Sequence, residues 1–178
     1  PFFPYSSDDG FSVKEYKRVN PALGTWEEVE LINEHYDLMF DLVINHISQY
    51  SEWFEQFKRG EAPGKDYFIE ADPNADYSEV TRPRTNPLLK EVDTPSGKKY
   101  VWTTFSEDQV DLDFANPDLL HDMLDIFIMY LQKGARIIRL DAIAYLWKEL
   151  GTSCIHLQQT HEIIKLLRNV AEWIKPSA

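Results

Sequence analysis

The chain has a single cysteine, Cys154, among its 178 residues, so no intrachain disulfide can form. That usage fits a reducing compartment and predicts a cytoplasmic protein. Cys154 falls in a loop and reads as an inert small hydrophobe. Cations are also scarce. Eighteen Lys and Arg stand against 30 Asp and Glu, a net charge of −12. This balance argues against nucleic acid, whose phosphates are neutralised by Lys and Arg, and against anionic membrane surfaces. No apolar run reaches the ~20 residues needed to span a bilayer, and no secretory leader is visible. No internal repeat is found.

Two short apolar segments carry the information. The first runs from Gly134 through Ile137 and Ile138 to Arg139-Leu140-Asp141. Side chains alternate faces along a strand, so Arg139 and Asp141 point the same way. An arginine beside a carboxylate keeps it ionised, and an ionised, held acid at a strand end suits a covalent nucleophile. The same pair is equally readable as a structural ion pair. The second segment, Asp37 to Asn45, is another near-continuous apolar run, followed by His46. Such runs predict strands covered on both faces, as in a parallel sheet. Polar groups at the C-terminal ends of parallel strands are where barrels carry chemistry. By itself His46 reads as a satisfied packing histidine.

The rest of the chain orders itself around these strands. Residues 1–24 form a loop. A helix starts at Thr25, with Glu28 completing a capping box and Val29, Leu31 and Ile32 as its apolar face. A short helix at about 51–59 carries Trp53, Phe54 and Phe57 on one side. Residues 60–115 hold five of the ten prolines and form a long excursion with one readable hairpin. In it, Leu88–Val92 and Lys98–Thr104 flank a turn at 93–97. A helix then opens at Asn116-Pro117-Asp118 and stops at Gly134. Its core positions are Leu120, Met123, Leu124, Phe127 and Leu131. The last helix, about 160–174, buries Ile163, Ile164, Leu167, Val170 and Ile174. This βα alternation predicts an α/β parallel-barrel architecture.

Four stretches, in order, resemble glycoside hydrolase family thirteen, the α-amylase family. Gly10-Phe11-Ser12-Val13, continuing to Val19-Asn20-Pro21, is similar to the segment after the second barrel strand. Asp41-Leu42-Val43-Ile44-Asn45-His46 is similar to the first conserved region. Gln109-Val110-Asp111-Leu112-Asp113 is similar to the motif closing the inserted B domain. Arg139-Leu140-Asp141-Ala142 is similar to the region of the nucleophile. Asp8-Asp9-Gly10-Phe11, Trp102-Thr103-Thr104-Phe105 and Leu146-Trp147-Lys148-Glu149-Leu150-Gly151-Thr152-Ser153-Cys154 resemble the sucrose phosphorylase branch. Where ordinary amylases place a Lys-His pair after the nucleophile, this chain has Tyr145 to Lys148, which implies a different acceptor site.

The resemblance implies part of a (β/α)8 TIM barrel, about strands three and four with flanking helices, plus an inserted B domain. Residues 1–59 and 116–178 would be barrel and residues 60–115 the insert. A complete barrel needs roughly 250 residues, so the chain is expected to be a piece of a larger enzyme. It implies Asp141 as nucleophile and Arg139 as its orienting partner. Asp8 (with Asp9 as the neighbour it can be confused with) and His46 would bind sugar hydroxyls. Phe105 would wall the sugar ring, or serve as hairpin core. Gln109 would contact the acceptor or hold the insert. Asn45 and Asp41 read as structural. Amylases often bind calcium at the Asn45 position, but the branch usually dispenses with it, so no metal and no cofactor are expected beyond inorganic phosphate as co-substrate. The general acid/base glutamate follows the fifth strand in this family and matches nothing here. Glu149 reads as a helix or loop residue, and the chain alone is expected to be inactive. The implied partner is a small α-glucoside such as sucrose, with association through exposed barrel edges. A hydrolase or transglucosidase of the same family, or a non-catalytic carbohydrate-binding or assembly relative, are the alternatives.

Overall fold

The computed structural model describes residues 1–178. Helix α1, Trp26–Asn33, begins on the capping box that Thr25 and Glu28 announce. Glu28 N–H donates to Thr25 Oγ1 at 3.4 Å, and Thr25 N–H donates to Glu28 Oε2 at 2.7 Å. Strand β1, Leu38–Val43, follows. The apolar run then breaks at Ile44-Asn45, and His46 opens a second strand, β2, His46–Ser48. The break coincides with a long-range contact. Tyr16 Oη donates to Val43 O at 2.6 Å and lies 3.3 Å from His46 O, occupying carbonyls that a straight strand would offer to a neighbour. Helix α2, Glu52–Arg59, is capped by Ser51, whose Oγ accepts from Phe54 N at 3.2 Å. Phe54 and Phe57 are buried beneath it.

The excursion contains the hairpin β3, Leu89–Thr94, with β4, Gly97–Trp102. The turn is tighter than its sequence suggests. Thr94 pairs with Gly97, and Gly97 takes the positive φ (108°) that a side chain would resist. Strand β5, Gln109–Asp111, pairs antiparallel with β2, setting His46 opposite Asp111 and Ser48 opposite Gln109. Helix α3, Pro117–Gln132, starts on Asn116, whose Oδ1 accepts from Asp118 N at 2.9 Å. Strand β6, Ala135–Asp141, returns parallel to β1. Its register places Arg139 opposite Asp41 and Asp141 opposite Val43. Helix α4, Gln158–Ile174, closes the chain. No helix is long and apolar enough to cross a membrane.

The main core draws on all three expected segments, from Phe3 and Leu42 through Phe68 and Val101 to Met123, Tyr130 and Leu167. A smaller cluster joins Val80, Leu88 and Trp102 of the excursion to Cys154. Three expectations fail on burial. The β1–β6 pair is not covered on both faces, since Met39 is 60 % and Ile137 53 % exposed. On α1, Leu31 and Ile32 face outward and no residue is buried. On α4, Ile163 and Leu167 are buried but Ile174 is exposed. In each case part of the apolar face packs on the core, through Val29, Ile138, Leu140, Ile163, Leu167 and Val170, and the side chains named as exposed lie at its uncovered margin.

Candidate active site

One cavity of about 260 Å³ is lined by Asp8, Phe11, His46, Arg84, Phe105, Gln109, Arg139, Asp141, Ala142 and Tyr145. All six residues singled out in the sequence are among them. They come from five separate places: the loop before α1, the start of β2, the loop after β4, the start of β5 and the end of β6.

Asp141 ends β6, and the chain leaves it abruptly. Ala142 sits in the left-handed region at φ 51°, which turns the backbone into a short 3-10 segment, Ile143–Tyr145. Arg139 Nη2 lies 3.2 Å from Asp141 Oδ1, and its Nη1 pairs with Asp41 across the sheet. The guanidinium therefore bridges two carboxylates. Hydrogen bonding and charge from Asp41 raise its pKa further, with Asp141 contributing. The Arg139 guanidinium also lies 5.3 Å over the Phe11 ring. Two-sided anchoring leaves the arginine little rotational freedom, so Asp141 meets its partner in one geometry. Asp41 thus has a defined task in holding Arg139.

Asp8 is half-buried and reaches the cavity, whereas its neighbour Asp9 is exposed. Asp8 Oδ2 accepts from Gln109 Nε2 at 2.9 Å, and Arg84 Nη2 lies 3.3 Å from Asp8 Oδ1. Asp8 and Asp9 both take positive φ, 55° and 52°. Asp tolerates this region better than most side chains, and strained backbone of this kind concentrates at functional sites. Gln109 Oε1 accepts from Ser106 Oγ at 2.9 Å, so its amide is held at both ends. Phe105 packs against His46 at 5.2 Å and against Tyr145 at 5.2 Å, and belongs to the cavity wall as well as to the packing behind it.

His46 is almost wholly buried. Nδ1 lies 3.1 Å from Asn45 Nδ2, and Nε2 lies 3.0 Å from Phe11 O. Burial pushes its pKa down, against the opposing pull of Asp111. The neutral imidazole is therefore the resting form.

Beneath His46 lies a buried polar group. Asp111 is fully buried and Lys148 is 4 % exposed, with Lys148 Nζ 2.7 Å from Asp111 Oδ2. Nζ also donates to Asn45 Oδ1 at 2.8 Å. Thr104 donates its Oγ1–H to Asp111 Oδ2 at 2.5 Å and its N–H to Oδ1 at 3.0 Å. Asn45 Oδ1 and the Asp111 carboxylate are the donor types that would hold calcium. They do not fit one here, because the Lys148 ammonium already takes both and would repel a divalent ion at the same point.

Sequence reasoning did not find Arg84 or the Lys148–Asp111 pair, and named Tyr145 only as part of the stretch 145–148. Of that stretch Tyr145 lines the cavity, while Lys148 turns away from it to Asp111. Arg82-Pro83-Arg84, a basic pair in an acidic chain, was the available signal for Arg84. Asp108 was also missed. It accepts from Ser6 Oγ at 2.6 Å, Ser48 Oγ at 2.8 Å and Gln49 N at 3.2 Å, and from Ser7 Oγ. Partial burial raises its pKa, but these hydrogen bonds outweigh that and hold it below the ordinary carboxylate value. Glu149 is an exposed loop residue, as expected.

Known proteins resemble this chain over nearly its whole length. Glucosylglycerate phosphorylase of Spirochaeta thermophila is 57 % identical over 176 residues, covering 99 % of this chain and 30 % of that protein. The Escherichia coli K12 protein of the same name is 48 % identical over 177 residues, covering 99 % of this chain and 32 % of its own length. The chain thus spans about a third of the length of these curated relatives. The crystal structure of sucrose 6F-phosphate phosphorylase from Thermoanaerobacter thermosaccharolyticum superposes with a TM-score of 0.89 at 29 % identity. That match covers 98 % of this chain and 39 % of the other. An α-amylase from H. orenii shares the fold, with a TM-score of 0.81 at 24 % identity. The fold is therefore that of part of a TIM barrel carrying an inserted hairpin. Residues 1–174 match the alpha amylase catalytic domain, and the chain belongs to that family.

Proposed function

We propose that the protein containing this chain is a retaining α-glucoside phosphorylase. The observation that carries this reading is the shared cavity, in which a carboxylate at a strand end, Asp141, meets the hydroxyl-binding groups His46, Asp8 and Gln109. Relatives named as glucosylglycerate, glucosylglycerol and sucrose phosphorylases support the transfer of a glucosyl unit to phosphate. In this reading Asp141 attacks the anomeric carbon and the glycosidic C–O bond breaks. The departing oxygen takes a proton from a general acid. An oxygen of inorganic phosphate then displaces Asp141, and two inversions give retention. The cavity's carboxylates are Asp8 and Asp141, and no glutamate lines it. The acid is then supplied by residues outside 1–178, and this polypeptide alone does not turn over. Arg139 orients the nucleophile, and Phe105 with Tyr145 forms the apolar wall.

Arg84 adds the feature that favours phosphate over water. Its side chain is 48 % exposed at the cavity edge and sits 6.0 Å over Phe105. A planar guanidinium there can grip a phosphate, or the carboxylate of a glycerate acceptor, through two parallel hydrogen bonds. No metal or organic cofactor is invoked. The test is an assay of the whole protein with glucosylglycerate, with and without phosphate. The expected result is phosphate-dependent α-glucose 1-phosphate and free glycerate. Release of glucose at an equal rate without phosphate would overturn the phosphorylase reading in favour of a hydrolase.

A further inference from the structure

Lys148 lies outside the cavity, and nothing in the proposed chemistry uses it. A buried lysine is costly unless its charge is compensated and its protons are placed. Here one carboxylate compensates it, at 2.7 Å, and one of its protons is spent on a neutral amide, Asn45 Oδ1, at 2.8 Å. That second contact has a directional consequence. An ammonium only donates, so the Asn45 atom facing it must be the oxygen. The Asn45 amide nitrogen then faces the other way, toward His46 Nδ1 at 3.1 Å and Asp111 Oδ2 at 3.4 Å. An amide N–H donates, so Nδ1 must accept and carries no proton. In a neutral imidazole the proton is then on Nε2, where Phe11 O accepts it at 3.0 Å. In this tautomer the Gln109 amide nitrogen, 3.1 Å away, makes no hydrogen bond to Nε2, because both are donors; its protons go to Asp8 Oδ2 at 2.9 Å and Phe11 O at 3.3 Å.

We propose that Lys148 is a positioning residue: through Asn45 it locks His46 in the Nε2–H tautomer, so that the one ring proton, held by Phe11 O in the free chain, faces the cavity and passes to a sugar hydroxyl only by exchanging that bond. The relay Lys148–Asn45–His46 is a chain of single-valued choices. Reversing the first link reverses the last. With Lys148 gone, Asn45 can turn its oxygen toward His46 and its nitrogen toward the place the ammonium held. Nδ1 would then hold the proton, and Nε2 would become an acceptor facing the Phe11 carbonyl. The proposal rests on the reading of His46 as a sugar contact for its effect on activity, but not for its effect on the tautomer.

The test separates the two. Histidine of the whole protein is labelled with nitrogen-15, and the tautomer of His46 is read by two-bond nitrogen–proton correlations at neutral pH. The wild type is expected to show Nε2–H. Lys148→Met keeps the stem and removes the charge, and is expected to shift His46 toward Nδ1–H. Lys148→Met with Asp111→Asn removes both charges and guards against a fold lost to a stranded carboxylate, with the same expected shift. Lys148→Arg, still a pure donor, is expected to retain Nε2–H. With a glucoside and phosphate, Lys148→Met should lower kcat/KM about tenfold, the worth of one well-placed hydrogen bond, and Lys148→Arg should recover most of it. Nδ1–H in the wild type, or unchanged Nε2–H in both charge-removing variants, overturns the proposal. A tautomer switch in a protein that shows no phosphorolysis supports the relay and refutes only the phosphorylase reading.

Discussion

The two strand pairs that meet at the cavity are built on opposite terms. The parallel pair β1–β6 presents Asp141 but is half bare, with Met39 and Ile137 facing solvent and Arg139 exposed. In the antiparallel pair β2–β5 every residue is buried, His46, Ile47 and Ser48 against Gln109, Val110 and Asp111. The carboxylate proposed as nucleophile therefore stands on the thinly covered pair, and His46 and Gln109, proposed to contact the sugar, stand on the sealed one. Sealing restricts the rotamers of His46 and Gln109 and excludes water from their hydrogen bonds. Exposure leaves Asp141 accessible, and its geometry is fixed instead by ionic contacts. Chemistry and stability should accordingly separate between the pairs.

The largest effect should come from the bare pair and appear only in turnover. Asp141→Asn in the whole protein should reduce glucose 1-phosphate formation by about 10⁴-fold, as loss of a covalent nucleophile does. Its urea midpoint should stay close to wild type, since Asp141 retains 22 % side-chain exposure and Arg139 keeps its pairing with Asp41. A large loss of stability in Asp141→Asn would break the contrast. The sealed pair should behave the other way. Asp111→Ala strands Lys148 as a buried uncompensated charge and removes the acceptor of both Thr104 bonds. It should cost about 3–5 kcal/mol, measured by denaturant unfolding. An effect below ~1 kcal/mol would mean that the pair is not sealed in solution.

A smaller effect concerns pH. His46 has a folded pKa depressed chiefly by burial, while Asp111 and Asp141 pull it upward and Lys148 pushes it down. Below the unfolded pKa of ~6.5 the unfolded chain binds the proton and the folded chain resists it, so stability falls as pH drops from there toward the folded value. The slope is at most about 1.4 kcal/mol per pH unit. Urea midpoints of wild type and His46→Gln, compared at pH 7.5 and pH 5.5, should show a steeper loss in the wild type. Equal slopes would show that His46 is not desolvated. The smallest effect belongs to neither pair. Arg168 and Glu172 face solvent on α4 at 2.7 Å, and Glu172→Gln should change stability by no more than ~0.5 kcal/mol.

Much of this was legible in the residues. Thr25 with Glu28 and Asn116 with Pro117 gave helix starts, because caps are local hydrogen-bond chemistry. The hairpin was legible from the turn residues 93–97, because a turn's backbone angles are a property of a few residues. The cavity's six expected residues were legible through motif resemblance. The splitting of the segment ending at His46 into two strands was not. It depends on Tyr16, 27 residues before Val43 in the chain, reaching a backbone carbonyl. Arg84 was not legible either, because its approach to Asp8 spans 76 positions of an irregular segment.

Sequence by itself determined where the helices begin and where the apolar strand segments lie, because those follow from capping and strand alternation, and motif resemblance named the acid, histidine and glutamine proposed for the chemistry. Tertiary structure alone decided which apolar faces are covered and what partners each polar group has. Lys148 illustrates the division. In sequence it is one more cation seven residues past Asp141. Only folding brings it to Asp111 and Asn45, in a place dry enough for a single ammonium to dictate which way an amide points.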